Sequence, residues 1–260
     1  SHDPLLVALS LLIAILASYT ALDLASRIRA SAGWASRIWL GAAAVAMGGG
    51  IWAMHFVAML AFTLPGVGIS YDLPLTLLSL GLPIAVTGIG FAAASRANRR
   101  RQGLAAGGLI MGLGIAAMHY TGMAAMRVPA AVTYDAGWVA ASVAIAIAAA
   151  MAALWLAMRE SGMLRRAAAA LLMGAAISGM HFSAMHGARF AVDVDPLHPT
   201  SAGVGQTDLA LWITAIALLI LTFAMTASLV DRAFAARARR EADALRESEE
   251  RFRLLVQSVK

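Results

Sequence analysis

GGGIWAMHFVAM, residues 48–59, returns as GLGIAAMHYTGM at 112–123 and as GAAISGMHFSAM at 174–185. The three copies align without gaps, which marks an internal repeat. Counted from the histidines (His55, His119 and His181), Gly falls at −7, Ile at −4, Met at −1, an aromatic at +1, a small residue at +3 and Met at +4. The histidines are 64 and 62 residues apart, the length of one two-helix hairpin. On a helix, a side chain and the one four positions on share a face. Each copy therefore sets an imidazole beside a thioether: His55 with Met59, His119 with Met123, His181 with Met185. Ile51, Ile115 and Ile177 extend the same stripe. Met54, Met118 and Met180 lie about 100° round from the histidines and are expected to meet neighbouring helices.

Working outward, each copy sits in a stretch almost free of charge. The chain of 260 residues is 61% hydrophobic and only 13% charged, against about 25% charged in a soluble domain. Its mean hydropathy is +0.77. Seven apolar segments reach the roughly 20 residues that cross a bilayer. They are 4–22, 38–62, 73–94, 103–126, 137–158, 167–189 and 209–230, with the motif copies in the second, fourth and sixth. The expected fold is all-α, a seven-transmembrane-helix bundle built from repeated helix hairpins. Residues 4–230 form the membrane domain, and 231–260 a cytoplasmic linker helix with the start of a further domain. No cysteine is present, which excludes disulfides, thiolate ligation and iron–sulfur clusters. The pI near 10.7 hints at nucleic acid. The arginines instead gather at helix ends, so the expected partner is the lipid bilayer and not nucleic acid. No cleavable signal peptide is visible.

The arginines also orient the bundle. Arg27, Arg29 and Arg37 mark the first loop, Arg96, Arg99, Arg100 and Arg101 the third, and Arg159, Arg165 and Arg166 the fifth. The even loops carry only Arg127 and Arg189, at their edges. The positive-inside rule then places the N-terminus outside and the C-terminus inside. All three motif helices run from inside to outside. Their histidines stand eight or nine residues before the outer breaks at Leu64, Arg127 and Arg189. At about 1.5 Å per residue, that is one shared depth roughly 12–14 Å below the outer end. Same-direction hairpin repeats are related by an axis along the membrane normal.

Imidazole with thioether suits copper, above all Cu(I). Zinc through histidine alone and haem with paired axial histidines are the alternatives. No carboxylate falls within the seven segments as bounded, which leaves no hard ligand for Mg²⁺ or Ca²⁺ and no acidic relay for a transporter. The single lysine, Lys260, lies in the tail and rules out a retinal protein. Packing is the plain alternative, with histidines as interhelical hydrogen-bond partners and methionines as filler. His186, about 140° round from His181, is an auxiliary ligand candidate. His2 and His198 are expected to be solvated.

With Met118, His119, Tyr120 and Thr121 in one copy and MHFV and MHFS in the others, the pattern closely resembles the MHYT family over about residues 5–230. The resemblance implies a multi-pass sensor of the bacterial inner (plasma) membrane, usually fused to cyclic-di-GMP or other signalling domains. It also implies copper held through Met and His, and sensing of a diatomic gas such as oxygen, CO or NO. Carried over by motif, the metal ligands are His55, His119 and His181 with Met54, Met118 and Met180 before them and Met59, Met123 and Met185 beyond. Val57 and Ser183 depart from the family's fourth position without touching those ligands, and Ala176 replaces Gly at −5 in the third copy. A haem-binding redox or electron-transfer protein is the competing reading. The segment holds no catalytic nucleophile or phosphate loop, so any diguanylate cyclase or phosphodiesterase activity is expected from an attached domain.

The tail, DRAFAARARREADALRESEERFRLLVQS at 231–258, is charged, rich in alanine and free of Gly and Pro. It reads as a continuous helix leaving the membrane, suited to pairing in a homodimer. Its end, ESEERFRLLVQS, resembles the opening of a PAS domain and implies an output module beyond.

Overall fold

The computed structural model describes residues 2–63, 68–96, 100–159, 162–192 and 204–258. The readings of Leu64, Arg99, His198 and Lys260 lie outside the described residues. The chain forms two compact units, Ser1–Leu221 and Thr222–Lys260. The fold is all-α. Seven helices among the described residues are long and apolar enough to cross a membrane. They are α1 (Pro4–Ala30), α2 (Gly33–Ala61), α3 (Leu73–Arg96), α4 (Arg100–Ala125), α5 (Ala136–Ala157), α6 (Met163–Gly187) and α7 (Gln206–Ser258).

Helices α1 to α6 make three hairpins. Each helix packs on its sequence neighbours, and α6 returns to pack on α1, so the hairpins close a ring. The even helices lie deeper. The apolar windows of α2, α6 and α4 are 89%, 56% and 44% buried, against 39%, 33% and 28% for α1, α3 and α5. The glycine at −7 explains how the hairpins meet. A side chain at Gly48 would strike the backbone of Pro83 and Ile84 in α3. One at Gly112 would strike Ile147 in α5, and one at Gly174 would strike Ile15 in α1. Small residues let backbones approach closely, the usual device between helices in lipid. Here the same device recurs at each junction between hairpins, including the one that closes the ring.

A second set of repeats, which the motif does not contain, closes each hairpin at its histidine end. Asp3, Asp72 and Asp135 precede α1, α3 and α5, and their carboxylates accept hydrogen bonds from the first-turn N–H groups. Such caps satisfy otherwise orphaned donors. The backbone N–H of Asp3 donates to the Ala61 carbonyl at 2.8 Å, Asp72 to Ala125 at 2.8 Å, and Asp135 to Gly187 at 2.9 Å. Each acceptor is six residues past a motif histidine. The residues beside these pairs continue as short strands: β1 (Ser70–Tyr71), β2 (Met126–Arg127), β3 (Ala130–Tyr134), β4 (Ala188–Val192) and β5 (Val204–Gly205). β1 pairs with β2 and β5, and β3 with β4, all antiparallel. In the first hairpin the same pairing shrinks to one bridge, His2 with Phe62. Arg127 and Arg189, the two arginines off the charge rule, reach the cap carboxylates of Asp72 (2.6 Å) and Asp135 (3.6 Å).

One expectation needs correction. The first span does not stop at residue 22: α1 runs to Ala30 and carries Asp23 and Arg27 inward, both buried. Asp23 pairs with Arg166 of α6 and, at 3.5 Å, with Arg27 one turn on. A carboxylate thus does sit inside a helix, held there by a partner 143 residues away.

In the second unit, α7 continues as helix to Ser258, and its described side chains from Ala236 to Glu249 are exposed.

Candidate metal centre

The ring brings the three motif histidines to one point. His55 lies in α2, His119 in α4 and His181 in α6, and all three are buried to 1% exposure or less. Their ligand atoms all fall within 4.8 Å of one another. His55 Nδ1 is 3.1 Å from His181 Nδ1 and 3.2 Å from His119 Nδ1. The rings meet edge to face, with centroids 4.9 to 5.1 Å apart.

This geometry can be set against what packing and ligation each require. A neutral imidazole has one N–H and one lone pair. In a packing role, His55 Nδ1 meets both neighbours with a single lone pair or a single N–H. In either role the three Nε2 atoms are buried with no hydrogen-bond partner among the described residues. As a ligand set, the trio converges three lone pairs on one point. Nitrogens about 2.0–2.1 Å from a tetrahedral ion stand about 3.3 Å apart, close to the separations seen here. The residues present fit a metal ion.

Neighbouring groups hold the rings. Gly122, at +3 in the second copy, lies directly under the His55 ring, and a Cβ there would collide with His55 Nε2. The aromatic at +1 in each copy is covered by a ring from the residue just before a cap aspartate. Phe56 meets Tyr71 at 5.7 Å, Tyr120 meets Tyr134 at 5.5 Å, and Phe182 meets His2 at 6.0 Å. Tyr120 also shares a hydrogen bond with Ser142 of α5 at 2.9 Å. His2 is exposed, as expected, and its ring also packs tilted against Phe62 and edge-on to Phe182. Burial holds Tyr134's phenol above its ordinary pKa.

The six candidate methionines, Met54, Met59, Met118, Met123, Met180 and Met185, are all buried. They flank the histidines along the same three helices. His186 does not join the centre; its exposed ring packs on Trp138 with centroids 4.5 Å apart. Gly122, Tyr71, Tyr134 and the cap aspartates were missed in the sequence. The signal for them was there in the aromatic–Asp pairs Tyr71-Asp72 and Tyr134-Asp135, each opening an apolar segment.

Fold and site together define a multi-pass, all-helical membrane protein with a three-histidine centre buried between repeated hairpins. Residues 48–107 and 112–170 match the MHYT family, described as "Bacterial signalling protein N terminal repeat", so the chain carries two MHYT repeats. The third copy lies beyond the matched residues, yet its His181 completes the centre. Among curated relatives, the chain is 44% identical over 242 residues to the bifunctional diguanylate cyclase/cyclic di-GMP phosphodiesterase MucR of Pseudomonas aeruginosa, covering 91% of this chain and 35% of that protein. It is 41% identical over 223 residues to the cyclic di-GMP phosphodiesterase NbdA of the same organism, covering 83% of this chain and 28% of that one. It is 31% identical over 264 residues to the signaling protein YkoW of Bacillus subtilis, covering 98% and 32%. The chain spans about a third of the length of these relatives. No solved structure gives a significant match.

Proposed function

We propose that this chain is the sensor of an inner-membrane signalling protein, and that His55, His119 and His181 hold one metal ion whose state it reports. The carrying observation is the convergence of three Nδ1 atoms on one buried point. Copper is the preferred ion. The converging ligands are neutral imidazoles, and the cost of burying an ion rises with the square of its charge, which favours a monovalent ion over a dication. Soft thioethers nearby favour Cu(I) further. Zinc fits the geometry but not the charge argument. Haem fits poorly, because a macrocycle needs its two axial nitrogens on opposite faces with the ring between them, whereas these nitrogens touch.

A copper centre of this kind answers to a diatomic gas (oxygen, CO or NO) or to redox state. The relatives named for cyclic di-GMP turnover support an attached cyclase or phosphodiesterase as the output. In this reading α7 carries the signal inward and pairs with its counterpart in a homodimer. Such coupling requires two states that differ in affinity for the ligand. A PAS module after residue 258 and an outward-facing N-terminus belong to the same proposal.

The test is copper, zinc and iron per protein in the wild type and in His55→Ala, His119→Ala and His181→Ala, purified without chelator. A shared centre predicts that each single change removes most of the bound metal. Independent sites would lose about a third each. A folded wild type that holds no metal under either oxidising or reducing conditions returns the histidines to a packing role.

A further inference from the structure

Two turns inward of the histidines, a second group of side chains repeats with the same spacing. Met47, Met111 and Met173 stand at −8 from His55, His119 and His181, one residue before the interface glycines. They are 1%, 1% and 3% exposed. With Ile115, Ile177, Ala149, Ala150 and Ala153 they line a cavity of about 10 Å³. Every lining residue is apolar. That volume is the least that admits a water, which also needs two to four polar partners. The walls offer none, so water is a poor occupant.

What the lining does include is three methionines, one from each even helix, whose side chains carry thioethers. Thioethers are neutral, polarizable and soft. From the lining of this cavity, we propose that Met47, Met111 and Met173 form a second metal site, selective for one soft monovalent ion, Cu(I) or its analogue Ag(I). Neutral sulfurs do not offset the burial cost of a dication, so Zn²⁺ and Cu(II) are excluded by charge as well as by softness. The site lies eight residues, or about 12 Å, inward of the histidine centre and shares no residue with it. This site rests on a different observation from the histidine centre, and the two can fail separately.

The experiment uses the whole chain purified in detergent and titrated anaerobically with Ag(I), then with Cu(I) kept reduced. The triple variant Met47→Leu, Met111→Leu, Met173→Leu keeps side-chain volume, a swap that cores tolerate. It should bind one equivalent of Ag(I) fewer than the wild type, with an unchanged melting temperature and unchanged histidine-dependent metal. The triple histidine-to-alanine variant should keep an Ag(I) equivalent, and Cu(I) bound to it should show sulfur-only scattering by X-ray absorption. Adding the three leucines to that variant should abolish this signal. If the triple leucine variant does not fold, Met111→Leu alone should weaken the same equivalent. The proposal is overturned if the leucine variants bind as much Ag(I) as their parents, or if the histidine-free variant binds none.

Discussion

The histidine end and the arginine end of the six-helix ring follow different rules. At the histidine end the three hairpins are near-copies, each with a cap aspartate, a backbone pairing, a covering ring and an imidazole. At the arginine end they differ. Asp23 of α1 joins Arg166 of α6, Arg27 pairs with the same carboxylate and lies over Trp39, and the Arg29 guanidinium donates to the Arg159 carbonyl at 3.1 Å. The positions matching Asp23 in the other hairpins hold Ala92 and Trp155. The chain links α2 to α3 and α4 to α5, but nothing covalent joins α6 to α1. The ion pairs stand at that one unlinked seam. Repetition builds the centre, and a single departure from repetition secures the ring around it.

Breaking the seam should have the largest effect on stability. Asp23→Asn leaves buried guanidinium groups without their carboxylate, and loss of one partner of a buried pair costs about 3–5 kcal/mol. Unfolding of the detergent-solubilised protein should register this, whereas Arg127→Ala, at a half-exposed pair, should change it by less than about 1 kcal/mol. A loss no larger at Asp23 than at Arg127 would show that the seam has no special part in holding the ring.

The junction glycines come next. Gly112→Ala pushes a methyl group onto the backbone of α5 and should destabilise by about 1–3 kcal/mol. Gly48→Ala and Gly174→Ala should match it, because the junctions are copies. Unequal costs would show that the repeats are not equivalent in energy.

Smaller still is the cap. Asp135→Ala should cost about 1 kcal/mol, read as a modest fall in melting temperature. The last effect is one of pH. The Leu75 N–H, and then the Arg127 guanidinium, hold the Asp72 carboxyl below its usual value of 3.8. Its contribution is therefore complete above that value and disappears as pH falls through the lowered one. The acid arm of a melting-temperature profile should flatten in Asp72→Asn and stay unchanged if the cap contributes nothing.

Much of the histidine end was legible in the sequence, because a period of 62 or 64 residues with His and Met in register has few other readings. The spans and their helical character followed from hydropathy alone. The arginine end was not legible. Asp23 and Arg27 read as a loop, since charge ordinarily ends a span, and only a partner 143 residues away makes their burial tolerable. The caps were hidden for a different reason: two-residue signals such as Tyr71-Asp72 are too short to stand out until their carbonyl partners at Ala125 and Gly187 are known. Gly122 shows a third limit. Glycine at +3 looks like one more small residue, and its need for openness comes from a ring on another helix.

Gly48 against Ile84, Gly112 against Ile147 and Gly174 against Ile15 are one surface meeting a different surface, repeated head to tail. In assemblies of separate subunits, heterologous contacts of this sort give rings where the rotation closes and open filaments where it does not. Here the rotation closes after three steps within one polypeptide. A lone hairpin would present both halves of the contact to lipid and hold one third of the histidine centre. Tethering the three copies removes any dependence of ring assembly on concentration. It also frees each copy to change by itself, as the first did with Asp23 and the third with Ala176, without altering the other two.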